Sequence, residues 1–322
     1  MVKTVVVAFG GNALQPPHEG AADFAVDLSS AANAIADIVE EGHRLVITHG
    51  NGPQVGYGMM RNVWAPEGVP RLSMDSLVAQ SQGELGTLLS IALINAFARR
   101  SLRIPVVSVV THVLVDVNHP SFHEATKPIG PVVNDPVEMA NIIDKVHLPL
   151  MQERGGYRIA VPSPLPQKVV ESMALKALLE CGTVVIAGGG GGIPVAYDQN
   201  GHLHGVAGVI DKDRTSALLA AQLEADHLVF LTDVDGVYRD FGKPTQALVA
   251  EGTWEDFDMM MRDPQASGVG SMKPKMAAAC DFVKTTGNSA AIGNLQQAAR
   301  VVSGVAGTRI VWKSKEGRQN AN

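Results

Sequence analysis

Short apolar runs that each stop at a glycine turn recur along this chain, and no other feature limits its fold as strongly. Residues 5–9 stop at Gly10-Gly11-Asn12, residues 45–47 at Thr48-His49-Gly50-Asn51-Gly52-Pro53, and residues 184–187 at the glycine run 188–192. Residues 228–231 lead into Thr232-Asp233-Val234-Asp235-Gly236, and residues 106–110 form another apolar run. Helix patterns lie between them. Ala31, Ile35, Ile38 and Val39 are spaced by threes and fours before Gly42, a long helical stretch covers residues 74–100, and another covers 171–180. Uninterrupted apolar strands alternating with helices predict a mostly parallel sheet covered on both faces. The expected class is therefore α/β, a three-layer αβα sandwich around an open sheet. Ligands of such sheets bind outside the carboxyl ends of the strands, which is where these glycine turns fall.

Two segments interrupt the alternation. Residues 116–168 are rich in Pro and His and read as a small inserted subdomain, and residues 241–273 read as a long connection. The expected division is one lobe over residues 1–205, carrying the insertion, and a second over 206–322.

Charge narrows the partners. Lys plus Arg number 26 against 32 Asp plus Glu, a net charge of −6, which offers no electrostatic case for nucleic acid or an anionic membrane. No basic stretch precedes the first apolar run, and no 18-residue stretch is free of charged or turn residues. Neither a signal peptide nor a membrane span is expected, and the expected location is the cytoplasm. Cys181 and Cys280 are too few for a disulfide framework or a four-thiolate zinc site, and both are expected as buried, reduced thiols.

Most familiar chemistry is excluded by inspection. The G-x-x-x-x-G-K-[ST] phosphate loop is absent, and the dinucleotide fingerprint fails because Ile193 stands where its third glycine belongs. H-E-x-x-H, C-x-x-C and G-x-S-x-G are also missing. Asp233-Val234-Asp235-Gly236 begins like a calcium loop, but Pro244 occupies its twelfth position, so it reads as a turn.

What remains is glycine turns and a few lysines. Glycine lets a backbone approach a ligand closely and aim successive N–H groups at an anion. Lys127 sits in a segment stiffened by proline and glycine, Thr126-Lys127-Pro128-Ile129-Gly130-Pro131. Lys212 stands between Asp211 and Asp213, directly after an apolar pair, and Lys275 closes Gly270-Ser271-Met272-Lys273-Pro274-Lys275. Phosphoryl transfer needs positioning and charge stabilisation more than covalent help, and backbone N–H groups with two or three lysines supply both. Without a nucleophile motif, the natural chemistry is direct in-line transfer to an acceptor that is already an oxyanion.

These motifs, together with His49-Gly50-Asn51-Gly52-Pro53-Gln54-Val55-Gly56, Val161-Pro162-Ser163-Pro164 and Gly192-Ile193-Pro194-Val195, resemble the carbamate kinase family, which has the amino acid kinase fold. The likeness runs in order from Val5 to Thr308. It implies reversible phosphoryl transfer between ATP and carbamate, with Mg²⁺ carried mainly by the nucleotide phosphates. It further implies that Gly10, Gly11, Asn12, Gly50, Asn51 and Gly52 bind carbamate and the moving phosphoryl group. Lys127, Lys212 and Lys275 would carry catalysis, with Asp211 orienting their ammonium groups. Asp213, Thr232, Asp233, Val234, Tyr238 and Met272 would lie at the nucleotide. The first lobe would hold carbamate and form a homodimer, and the second would hold ATP or ADP. Arginine breakdown is one pathway the family serves.

The chain departs from the family in places. Arg154-Gly155-Gly156-Tyr157-Arg158 displaces an arginine, Leu165 stands where the family has lysine, and Gln15-Pro16-Pro17 is unusual after the first turn. These positions bear on substrate choice, and they leave open a phosphotransferase of the same fold acting on another small carboxylate. A nucleotide-binding protein without turnover is the remaining alternative.

Overall fold

The structure, a computed structural model, describes residues 2–9, 28–153, 155–263 and 272–313. The first part of the chain supplies β1 (Thr4–Phe9), α1 (Ser29–Glu40), β2 (Arg44–Thr48), α2 (Gly52–Trp64), α3 (Met74–Arg99), β3 (Val106–Ser108) and β4 (His112–Val115). Then come β5 (Lys127–Val133), α4 (Pro136–Val146), β6 (Leu150–Glu153), β7 (Gly156–Val161), β8 (Pro166–Val169), α5 (Ser172–Glu180) and β9 (Val184–Ile186). After β10 (Ile193–Tyr197) and β11 (Leu203–Gly205) follow α6 (Lys212–Gln222), β12 (His227–Thr232), β13 (Tyr238–Arg239), β14 (Ala247–Leu248) and β15 (Glu251–Thr253). The chain ends with α7 (Trp254–Arg262), α8 (Lys273–Thr286), β16 (Ser289–Asn294), α9 (Ala298–Val302) and β17 (Thr308–Val311).

Eight strands form the central sheet in the order β15-β17-β16-β12-β1-β2-β9-β3. Every neighbouring pair is parallel except β16 with β17. Alternate side chains of each strand point to opposite faces, and the two faces carry separate cores. Val6 and Ala8 join α5, α6 and α8 through Leu175, Leu219 and Phe282. Val5, Val7 and Phe9 join α1 and α3 through Ile35, Leu89 and Phe97. Both faces of β1 are therefore buried, which is why its sequence is apolar without alternation. Burying one such Val, Leu or Phe contributes about 1.5–3 kcal/mol. The expected three-layer αβα sandwich is what the chain forms.

The inserted segment folds as the antiparallel sheet β5-β7-β6 with α4 against it. It rests on α2 through a third core containing Val55, Met59, Ile129, Ile142 and Ile159. At the seam, a Cβ on Gly56 would overlap the backbone of Gly130, which itself has φ +75°. Glycine at both positions lets β5, and with it Lys127, sit directly on α2.

Two expectations need correction. Residues 241–273 hold more than a connection: β15 adds an edge strand and α7 a helix. The helix starts at a capping box in which Asp256 Oδ2 accepts the Thr253 N–H at 2.8 Å, a T-x-x-D signal overlooked among the prolines. Cys280 is buried as expected, and burial pushes its thiol up to about 12, whereas Cys181 is exposed because it follows the last turn of α5. Among the described residues, α3 is long and apolar enough to cross a membrane by length and composition, yet Leu85, Leu89, Leu93 and Phe97 on one of its faces are in the core.

Candidate active site

The carboxyl edge of the sheet gathers the polar residues. β1 and β12 run side by side with Phe9 opposite Leu231, so the chain leaves both strands at the same place. The helix α6 begins there. Asp211 caps it, its Oδ1 accepting the N–H groups of Asp213 at 2.9 Å and Arg214 at 3.2 Å. The cap puts Lys212 in the first turn, and its Nζ donates to the Phe9 carbonyl at 2.6 Å and to Asp213 Oδ1 at 2.9 Å. From α8, Lys275 Nζ reaches the other oxygen of Asp213 at 3.3 Å.

Asp213 is only 4% exposed. Burial acts to raise its carboxyl, but Lys212 and Lys275 outweigh that and hold it below the usual carboxylate range. Lys127 comes across from the inserted sheet. Its Nζ donates to the Ile210 carbonyl at 2.9 Å and lies 3.7 Å from Asp211 Oδ2. Burial lowers its ammonium below the usual lysine range, against the pull of Asp211 and Asp213, while Lys212 adds to the lowering. Three cations thus face two carboxylates, leaving the edge one positive charge in excess. That suits a phosphorylated anion, which would be held without a compensating proton.

The lysines named from the sequence are therefore brought together, but the carboxylates divide the work. Asp211 caps the helix and meets Lys127, whereas Asp213, which the resemblance put at the nucleotide, holds Lys212 and Lys275. Sequence alone hid the second contact because Lys275 lies 62 positions from Asp213.

The second glycine turn lies alongside. Asn51 precedes α2 and makes no side-chain cap, because its Nδ2 donates to Ser81 Oγ at 2.7 Å. Its side chain is thus drawn into the core, and what Gly50, Asn51 and Gly52 present at this edge is backbone and the positive end of α2. Gly10, Gly11 and Asn12 lie outside the described residues.

The third turn is a wedge. Its φ is positive at Gly188, Gly190, Gly191 and Gly192, and Gly188 through Gly192 are buried. A Cβ on Gly189 would come 2.5 Å from His49 Nε2, one on Gly190 would overlap the Asn51 amide, and one on Gly191 would come 2.5 Å from the Ile210 carbonyl. Gly190 N–H donates to the His49 carbonyl at 2.6 Å, and Thr215 Oγ1 donates to the Gly191 carbonyl at 2.8 Å. These glycines let one turn pack between the 49–52 loop and the start of α6.

His49 was not among the candidate residues, although it begins a quoted motif. It is 1% exposed, and its Nδ1 lies 3.0 Å from the Gly50 carbonyl, so that nitrogen carries the proton. Burial pushes the imidazole down to about 4, the Gly50 bond opposing and Lys212 assisting.

After β12, Thr232 Oγ1 donates to Asp233 Oδ1 at 3.0 Å, and Val237 N–H donates to Thr308 Oγ1 at 2.8 Å. Val234 is half-buried in the same turn. Tyr238 packs a tilted ring 6.0 Å from Phe241, and burial with nearby Asp235 raises its phenol. Met272 packs on the core just before α8. Among the described residues no cluster of His, Cys, Asp and Glu is grouped to hold a metal ion.

The profile of the Amino acid kinase family matches residues 3–294. The carbamate kinase of Haemophilus influenzae is 39% identical over 313 residues, covering 97% of both chains. That of Thermococcus kodakarensis is 37% identical over 96% of this chain and 99% of its own. The structure of Giardia lamblia carbamate kinase bound to AMP-PNP superposes with a TM-score of 0.86 at 34% identity, covering 96% of this chain and 98% of that one. The chain belongs to the amino acid kinase family and, with its carbamate kinase relatives, is an ATP-dependent phosphotransferase. Within that family it belongs with the carbamate kinases, which it matches along nearly its whole length.

Proposed function

We propose that the lysine edge transfers a phosphoryl group between carbamoyl phosphate and ADP, in line and without a covalent intermediate. The observation that carries this reading is Asp213, buried and clamping Lys212 and Lys275 beside the end of β1 while Lys127 closes from the inserted sheet. The carbamate oxygen leaves as an anion when ADP attacks, so no general base is needed. Three ammonium groups offset the charge spread over the moving phosphoryl. Gly50, Asn51 and Gly52 hold carbamate together with Gly10, Gly11 and Asn12, and Thr232, Asp233, Val234, Tyr238 and Met272 border the nucleotide. Mg²⁺ enters as part of the nucleotide substrate, which fits an edge whose buried carboxylate is already committed to lysines. On this reading residues 1–205 handle carbamate, residues 206–322 handle the nucleotide, and the enzyme works in the cytoplasm.

The same reading includes a homodimer. The outward face of α3 exposes Ile91 at 53% and Ile94 at 51%, and nothing would meet a Cβ on Gly83. Two exposed isoleucines one turn apart on a helix whose other face is in the core fit a second copy of the chain. Light scattering on the purified protein measures this directly, and a monomer at micromolar concentration would refute it.

The decisive experiment is ATP formation from Mg²⁺–ADP with carbamoyl phosphate, run beside acetyl phosphate. Turnover with carbamoyl phosphate and little with acetyl phosphate is expected. Faster turnover of a larger acyl phosphate would reassign the acceptor, and ADP binding with no turnover would leave a nucleotide-binding protein.

A further inference from the structure

At the opposite edge of the sheet, where β1, β12 and β16 begin, the surface opens into a cavity of about 640 Å³. Lys3, His227, Lys284, Ser289, Arg309 and Lys313 are among its walls. A smaller cavity of about 120 Å³ shares Lys3, His227, Ser289 and Arg309 with it. The larger volume is that of a small-molecule site, about 300–1,000 Å³. The six residues of β12 separate this cavity from Thr232, roughly 17–20 Å at the rise of a strand. It is thus remote from the lysine edge.

Its charges do not cancel. Arg309 is paired with Glu251 at 3.3 Å, and Asp226 Oδ2 accepts the Thr4 N–H at 2.8 Å. Lys3 donates to the ring nitrogen Nε2 of His227 at 2.9 Å, and His227 Nδ1 in turn meets Ser289 Oγ at 2.8 Å. Burial, Lys3 and Arg309 keep that imidazole neutral, so it does not offset the lysine charge. Lys284 lies 4.4 Å over the Trp254 ring. Among the described residues, Lys3, Lys284 and Lys313 meet no carboxylate. Asp226 keeps its charge, so four cations (Lys3, Lys284, Arg309 and Lys313) face two carboxylates (Asp226 and Glu251), and a chain of net charge −6 leaves a net +2 around one concave surface. Such a hollow concentrates positive potential and draws in small anions. Trp312, 44% exposed, supplies an apolar wall.

We propose that this cavity is an accessory binding site for a small polyanion carrying phosphate or carboxylate groups. Tripolyphosphate and citrate represent the two sources of that charge. Each is titrated by calorimetry, in buffer without Mg²⁺, against the full chain, a Lys3→Gln/Lys313→Gln variant and a Lys212→Ala variant. At least one of the two probes binds wild type and Lys212→Ala alike, and binds the double variant at least tenfold more weakly. Tripolyphosphate alone meeting that pattern identifies a phosphorylated ligand, and citrate alone identifies a carboxylate ligand. Lys3 and Lys313 touch nothing at the lysine edge, so the double variant keeps wild-type kcat, which also shows that it folds. Binding that is lost in Lys212→Ala but kept in the double variant, or no millimolar binding of either probe, overturns the proposal. Neither result bears on phosphoryl transfer, so the accessory site stands or falls by itself.

Discussion

Lys275 and Asp213 lie 62 positions apart in sequence and meet at 3.3 Å, inside a contact that Asp213 also makes with Lys212 at 2.9 Å. One buried carboxylate therefore sets the position of two ammonium groups. If either lysine swings into solvent, one oxygen of the buried Asp213 carboxylate loses its partner, which is costly.

Asp213→Asn removes the charge that holds both lysines. By analogy with loss of an oxyanion-hole donor, kcat falls by about 10²–10³, or about 2.7–4 kcal/mol, with a smaller change in ADP affinity. Steady-state kinetics with ADP titration by calorimetry measures both. A kcat within about threefold of wild type would reduce Asp213 to a structural ion pair.

Lys127 carries a pH signature. Its ammonium is held below the usual lysine range chiefly by burial. Transfer needs the cation, so kcat declines as pH rises through this lowered pKa. The alkaline limb thus begins at lower pH than an ordinary lysine would give. Lys127→Met lowers kcat by about 10²–10³ at neutral pH, by the same analogy. In Lys127→Arg the alkaline limb disappears, because guanidinium stays charged, although its planar fork fits a point-charge site poorly. A limb unchanged in Lys127→Arg would assign it to another group.

His49 links stability to pH. Its folded value is about 4 against 6.5 for an ordinary histidine, so between these values the unfolded chain binds more protons than the folded one. Stability therefore rises with pH across that window and is lost as pH falls from 6.5 toward 4, by about 3 kcal/mol in all. Urea unfolding at a series of pH values reads this slope. His49→Asn should be less stable at neutral pH and lack that share of the slope; an undiminished slope would place the titration elsewhere.

Gly190→Ala tests the wedge. The added Cβ would overlap the Asn51 amide at a φ of +63°, so backbone strain and overpacking together cost about 2–5 kcal/mol. Gly287→Ala is the control: φ is +73° but nothing lies within 4 Å of its Cβ, and only about 1–2 kcal/mol of strain applies. Chemical denaturation ranks the two, and equal losses would mean that the turn is not tightly packed.

The strands of the central sheet were legible in sequence because each is buried on both faces, so residues 5–9, 45–47, 184–187 and 228–231 are apolar without interruption. The glycine turns were legible because a ligand edge and a close backbone approach both demand glycine. The sequence could not say which demand applied, and it is packing against His49, Asn51 and Ile210 that accounts for Gly189, Gly190 and Gly191. The helix α7 was missed because its signal was a single capping box amid prolines. Lys127, Lys212 and Lys275 could be singled out as cations in unusual settings, and the family resemblance gave them a role. Their arrangement was a matter for tertiary structure. Asp211 and Asp213 flank Lys212 symmetrically in the chain, but two residues of helix rotate them about 200° apart: Asp211 faces the helix N-terminus and Lys127, while Asp213 faces inward to Lys275 on α8. Local sequence determined which residues were chemically able to serve; the register of α6 against β1 and α8 decided which carboxylate holds which lysine.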